Sequence, residues 1–387
     1  MSKWDSVTLG EVAKISREIV DASEIKAGTF YVGLENIESG GRFTNVRPVA
    51  SGELASSKFA FTPKHLLFGK LRPYLAKIAR PDFDGICSTD IVPVLPTCKV
   101  DRDYLAHFLL TPEMVTLASS RATGANLPRL SPNTLTQFEI PLPPLTEQRR
   151  IATLLDRAKA LRAKRSAALA QVDELTAATF IEMFGNPATN PSKWPTQPLS
   201  SFIRNDDNIN YGVVQPGDDV ADGIPLVRVG DLVDGGVSHT SLKRISPAVE
   251  AAYKRSRLRG DEILVSCVGS IGIVAVADES VAGFNIARAV ARVPLADTRD
   301  RAFVAAYLST SFVQQYFTNE LRTVSQPTLN IKQLSETAVI FPPAKLRYEF
   351  GRRVAAVEKL KGAQRASLAE LDALFASLQH RAFRGEL

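Results

Sequence analysis

Between residues 145 and 186, Ile151, Leu154, Ala158, Leu161, Arg165, Ala168, Val172 and Leu175 recur in three-four alternation, the a/d stripe of a coiled-coil seam. The spacing predicts one long helix. Pro143-Pro144 cannot sit inside a helix and impose an extended approach to it. Thr146 is a candidate N-cap, Glu147 places an anion in the first turn, and Gly185-Asn186-Pro187 ends the helix. A second stripe, Phe350, Arg353, Val357, Leu360, Gln364, Ser367, Leu371 and Leu374, follows Pro342-Pro343. Each helix would span about 38 residues, or about 57 Å. So narrow an apolar stripe needs a partner. The two helices are expected to pair with each other, antiparallel if a pseudo-twofold axis relates them, with Arg165 and Gln364 meeting in a polar layer that sets register. Two helices packed separately, or a homodimeric coil, are the alternatives.

The two stripes belong to a longer repeat. Residues 104 to 175 recur without a gap 199 positions later, so that Leu109, Pro128, Leu130, Leu135, Pro143, Pro144, Leu169, Ala170, Asp173 and Leu175 match Leu308, Pro327, Leu329, Leu334, Pro342, Pro343, Leu368, Ala369, Asp372 and Leu374. Upstream the register drifts: Trp4 pairs with Trp194 at an offset of 190, Tyr31-Val32 with Leu226-Val227 at 195, and Pro96 with Pro294 at 198. One unit is written twice, each copy a variable part followed by a constant helix. The boundaries are 1–142 and 187–341 for the variable parts, 143–186 and 342–387 for the helices.

The variable parts read as mixed α and β. Thr29–Val32, Ile91–Leu95 and Glu262–Ser266 have strand composition between Gly, Pro, Asp and Asn punctuation, and helices are predicted from Asp101 through Leu109 and from Ala302 to Phe317. The fold class is therefore α+β, with two globular domains separated by two long antiparallel helices in a pseudo-twofold repeat.

Polar and basic residues concentrate in a few loops. In the first half these are Lys70, Arg72, Tyr74 and Lys77, then Arg121, Asn126 and Arg129; in the second they are Lys254, Arg255 and Arg257, then Arg322, Gln326, Thr328 and Asn330. Arg, Lys, Asn and Gln hold phosphates or make bidentate contacts to base edges, and Tyr stacks. Taken singly, each also suits an ordinary solvated loop. The net charge of +6 and pI near 9.2 suit a polyanionic partner without requiring one.

Composition of 45% hydrophobic and 23% charged residues is that of a globular protein rather than a disordered one. The most apolar stretch, Ile271 to Val293, is interrupted by Asp278, Glu279, Arg288 and Arg292, which argues against a membrane span, and the N-terminus has no signal-peptide core. A cytoplasmic location is expected. Three scattered cysteines and four isolated histidines give neither a disulfide framework nor zinc-ligand spacing, so no metal is expected. There is no phosphate loop, no GxGxxG, no nucleophile elbow and no carboxylate set followed by an acidic-x-Lys.

The run IPLPPLTEQRRIATLLDRAKAL, the second proline pair before a second long helix, and the ending AFRGEL resemble the specificity subunits of type I restriction-modification systems across essentially the whole chain. The resemblance implies two target recognition domains, each reading one half of a split, asymmetric site in double-stranded DNA, joined by two helices that form an antiparallel coiled coil. It implies no catalysis and no cofactor in this chain. Two modification subunits would bring S-adenosylmethionine and adenine methylation, and restriction subunits would bring ATP, Mg and cleavage. The family's helix start falls on Pro143, Pro144, Leu145, Glu147, Gln148 and Ile151. The second copy keeps Pro342 and Pro343 but carries Ala344, Lys345, Leu346 and Arg347 in place of Leu-Thr-Glu-Gln, which predicts unequal contacts to the two modification subunits. A coiled-coil scaffold and a self-contained DNA-modifying enzyme are the other readings.

Overall fold

The computed structural model describes residues 4–320 and 327–387. The chain divides into two compact units, one of residues 1–166 and 366–387, the other of residues 167–365. Each unit therefore takes part of both long helices.

In the first unit, two fully apolar runs form the middle of an antiparallel sheet: Ile91–Pro96 pairs with Leu66–Gly69 in the register Ile91↔Gly69 to Val94↔Leu66, with Ala13–Ile15 and Ile78–Ala79 at the edges. Central strands of this composition are covered on both faces, and residues 66 to 69 are all buried. A second sheet of five short strands includes one parallel pair, Phe30–Val32 beside Gly85–Cys87. Ser6–Thr8 pairs with Glu139–Pro141 near the start of the first long helix.

The second unit repeats this plan. Val290–Val293 and Ile263–Ser266 are the central strands, Asn210–Tyr211 and Val274–Val276 the edges, and the order matches that of the first unit. Ile224–Val227 runs parallel to Asn285–Ile286, as Phe30–Val32 does to Gly85–Cys87. Helices Arg102–Leu109, Pro112–Ser120 and Pro132–Thr136 return as Arg301–Leu308, Ser311–Asn319 and Ile331–Ser335. The helix predicted from Ala302 to Phe317 is thus two, broken at Ser309-Thr310, where Thr310 is the extended N-cap of the next.

The long helices span Leu145–Phe184 and Ala344–Arg384. In the first unit Ile151, Ala152 and Leu155 share a core with Ala382 and Phe383, and Arg162 meets Asp372 at 2.5 Å. In the second unit Phe180 and Phe184 pack edge-on against Phe350, Glu182 faces Arg353 at 3.7 Å and Asp173 faces Lys361 at 3.2 Å. Residue numbers rise along one helix as they fall along the other, so the pairing is antiparallel within each unit.

The a/d stripe faces inward only in part: Ile151, Val172 and Phe350 are buried, but four of its leucines are not. Leu161, Leu175, Leu360 and Leu374 are 49%, 42%, 42% and 51% exposed. Their neighbours turn inward instead: Lys361 is buried, the Thr176 hydroxyl is buried, and the Arg162 guanidinium lies 4.7 Å over the Phe375 ring. A helix of 3.6 residues per turn drifts by about 20° per heptad against a strict 3.5 repeat. The stems of Arg162 and Lys361 pack along the helix pair while their charges meet Asp372 and Asp173. Thr146 is not the cap, because the helix starts one residue earlier and the N–H groups of Glu147 and Gln148 bond to the Pro144 carbonyl. Arg165 belongs to the first unit and Gln364 to the second.

Candidate nucleic-acid interface

In the first unit most of the basic loop residues gather in one place. Thr123 and Arg129 exchange backbone hydrogen bonds of 3.0 and 2.8 Å, closing a small loop over residues 124–128, and Arg72 donates to the Pro128 carbonyl at 2.7 Å. Lys70 donates its N–H to Asp90 and accepts from Leu130. Helix Pro112–Ser120 packs against the turn Pro73–Leu75, and Arg121 ends that helix. Arg72, Tyr74, Arg121, Asn126 and Arg129 are exposed and Lys70 is half-buried.

Their charges are differently committed. Arg129 grips Asp90 at 2.9 and 3.3 Å, and the Arg121 guanidinium lies 5.8 Å over Phe138. Lys77 is drawn inward, its ammonium donating to the Leu34 carbonyl at 2.7 Å. It is therefore less available to a polyanion than its neighbours.

The second unit builds the equivalent loop from other residues. Val268 bridges Thr328 where Leu71 bridges Arg129, and Asn330 starts helix Ile331–Ser335 with its N–H on the Gln333 side chain at 2.8 Å. Lys254 and Arg255 are exposed on a separate turn, Lys254–Ser256, and Arg257 is held by Glu250 at 2.7 Å. Leu329 donates its N–H to the Cys267 carbonyl at 2.9 Å beside the Val268–Thr328 bridge, while Lys254 and Arg255 belong to their own turn and Arg257 follows it. Arg322 and Gln326 lie outside the described residues.

At each helix start the unit closes on a proline pair. Trp4, Pro143, Pro144 and Leu145 line a groove of about 550 Å³, and Trp194, Pro342, Pro343 and Ala344 line its counterpart of about 350 Å³. Glu147 pairs with Arg150 at 2.6 Å, and Ile151 is buried in the core. Gln148, fully buried, accepts from the Asp101 N–H at 2.7 Å and donates to the carbonyls of Lys99 and Pro143 at 3.1 and 2.8 Å. Arg347 stands at the same place in the repeat. Its guanidinium holds the Asp300 carboxylate at 2.8 and 3.0 Å, donates to the Pro342 carbonyl at 2.6 Å, and lies 4.4 Å over Phe341. The second copy has thus replaced a neutral tie with an ionic one between the same two elements. Reading only the motif missed this; the 199-residue offset, which carries Gln148 to Arg347 and Asp101 to Asp300, holds the signal.

The first unit has a further tie that sequence reasoning did not find. Arg80 holds Asp156 at 3.0 and 2.7 Å, and the His107 imidazole reaches the same carboxylate at 2.9 Å. Burial opposes the Asp156 charge, but the bonds from His107 and Arg80 outweigh it and keep the carboxyl well below its ordinary range. Lys159 donates to the Gly40 carbonyl at 2.6 Å, and in the second unit Arg365 meets Asp234 at 3.1 Å. In both units, then, a hairpin of the variable part is fastened to a long helix. Burial pushes the Cys87 and Cys267 thiols up to about 12, far from nucleophile chemistry.

Residues 1–171 match the family model for the type I restriction modification DNA specificity domain. The chain is 29% identical to the EcoBI type I restriction enzyme specificity subunit of Escherichia coli, over 99% of this chain and 86% of that protein. The chain is a homologue of type I restriction-modification specificity subunits. It is also 24% identical to the EcoKI specificity subunit of Escherichia coli strain K12, over 76% of this chain and 67% of that one. Two solved structures share the fold of this specificity-subunit homologue. One chain, from work on complex assembly and conformational transition of the type I R-M system, is 23% identical with a TM-score of 0.63, covering 99% of this chain and 98% of its own. The S subunit of the type I system of M. genitalium is 15% identical with a TM-score of 0.59, covering 99% and 96%. No helix among the described residues is long and apolar enough to cross a membrane.

Proposed function

We propose that this chain is the noncatalytic DNA-specificity subunit of a type I restriction-modification complex. Each unit reads one half of a bipartite, asymmetric site in duplex DNA, and the long helices set the spacing between the halves. Two modification subunits, holding S-adenosylmethionine, methylate adenine, and restriction subunits supply ATP-dependent, Mg-dependent cleavage. The observation that carries this reading is the duplicated fold with unlike loops: one plan of strands and helices, with Lys70, Arg72 and Lys77 on the loop of one copy and no cation on its counterpart, residues 267–273, in the other.

Two weak readers joined in one chain bind as if the second were at high effective concentration. Within each unit one exposed leucine comes from each long helix, Leu161 with Leu374 and Leu175 with Leu360. Matching apolar positions repeated in this way suit two copies of one partner subunit. DNA from cells expressing this chain with its modification subunits should carry methyladenine in a motif split by a fixed spacer of any sequence. Methylation of one continuous motif would refute the two-reader reading.

A further inference from the structure

We infer that the first unit inserts an apolar tip, Tyr74-Leu75, between base pairs of its half-site, and that the described residues of the second unit form no such wedge. The inference rests on the DNA-reading role proposed above. Tyr74 is 53% and Leu75 37% exposed, and Leu127, at the end of the loop beside them, is 45% exposed. Large apolar side chains left in water in one loop cluster mark a contact surface.

The surroundings say what kind. Arg72 and Arg121 are exposed in the same cluster, with Lys70 at the root of the loop, so the tip is framed by cations that suit phosphates. The turn Pro73–Leu75 is also bracketed by two left-handed residues, Arg72 at φ 52° and Ala76 at φ 49°. Non-glycine residues adopt that region at a cost of about 1–2 kcal/mol each. Backbone bonds from Arg72 to Pro128 and from Ala76 to Pro73 hold the turn in place. A rigid apolar point between cationic flanks is the device by which proteins part a base step and kink a duplex.

The second unit supplies the contrast. At the equivalent loop, residues 267–273 contain no aromatic residue. The Ser266 hydroxyl donates to the Ser270 carbonyl, Gln314 donates to Gly272, and Ile271 packs on the core. Ile273 is 37% exposed, as Leu75 is, but the loop offers no ring to stack on a base and its polar groups are tied back to its own unit. One half-site is consequently distorted and the other read without distortion, which makes deformability a specificity filter on one side only.

The test uses the complex with its modification subunits on its methylation motif, with 2-aminopurine placed singly at base pairs other than the methylated adenines. A fluorescence rise at one step in one half-site only is expected. Tyr74→Ala/Leu75→Ala should abolish it and weaken binding about tenfold, as loss of one stacked base does, with the salt slope unchanged because no phosphate contact is lost. Arg72→Gln should keep the rise and lower the slope. Specific binding with no rise at any position, equal rises in both halves, or a rise that survives the double substitution would overturn the wedge while leaving the reader role intact. A wild-type complex that binds no duplex would overturn the reader role and the wedge with it.

Discussion

Replacing Arg347 by Gln, the residue at the equivalent position of the first copy, should unfold the second unit far more easily than the similarity of the two sites suggests. Arg347 and Asp300 are 6% and 7% exposed at their side chains and share two hydrogen bonds, with a third from Arg347 to Pro342. Gln cannot satisfy both carboxylate oxygens and the carbonyl, so a buried charge loses its partner at a cost of about 3–5 kcal/mol. Asp300→Asn in the same chain removes the charge, and should return all but about 1–2 kcal/mol of that loss. The chain carries two tryptophans, Trp4 in one unit and Trp194 in the other. In a Trp4→Phe background, urea unfolding followed by Trp194 emission therefore reports the second unit. A urea slope of about 2–3 kcal/mol/M puts the midpoint of Arg347→Gln lower by about 1–2 M. A loss below about 1 kcal/mol, or a double variant no more stable than the single one, would refute the ionic tie, since removal of a desolvated partner must exceed the cost of an ordinary surface change.

Four more outcomes are expected. Arg72→Gln should lower DNA affinity across all sequences and reduce the slope of log K against log salt by about 1, measured by fluorescence anisotropy; a change confined to one base position would show base reading instead. Asp156→Asn should cost the first unit about 1–2 kcal/mol at pH 7, a value discounted because the Asp156 side chain is 37% exposed. The Asp156 carboxyl is depressed in the folded chain, so its contribution is complete above the ordinary carboxylate range and is lost progressively as pH falls from there to the depressed folded value; denaturation at stepped pH should show the gap narrowing below about pH 4. Leu161→Asp with Leu374→Asp should leave the chain folded by circular dichroism and abolish co-purification of one modification subunit, and retention of both subunits would remove the docking role. Adding about one heptad to each helix at paired positions should lengthen the spacer in the methylated motif without altering either half-site.

How far the chain could be read in advance depended on whether the deciding interaction was local. The ends of the first long helix were legible because Pro143-Pro144 and Gly185-Asn186-Pro187 act on their own backbone, and Gly185 does adopt φ 81°. The inward face was not, since the choice between Leu161 and Arg162 turns on a Phe375 more than two hundred residues away. The repeat offset placed whole elements correctly, from Tyr31-Val32 and Leu226-Val227 in matching parallel pairs to the helices after Asp101 and Asp300. Individual basic residues resisted the same treatment. Lys77, Arg129 and Arg257 look alike in sequence, yet one ends on a carbonyl 43 residues away, one on Asp90 and one on Glu250. Leu75 and Leu127 look like core until the fold leaves them outside.

The second unit is one uninterrupted segment, residues 167–365, while the first is completed only by residues 366–387. Both ends of that segment lie inside long helices, where Arg162–Asp372 on one side and Asp173–Lys361 on the other stay within their own units. On the proposed two-reader function, a genetic exchange with both crossovers in these helices would therefore carry one reader's core and its ties to the helices together. New combinations of half-sites become accessible in a single recombination step, with no intermediate that has to survive a broken core.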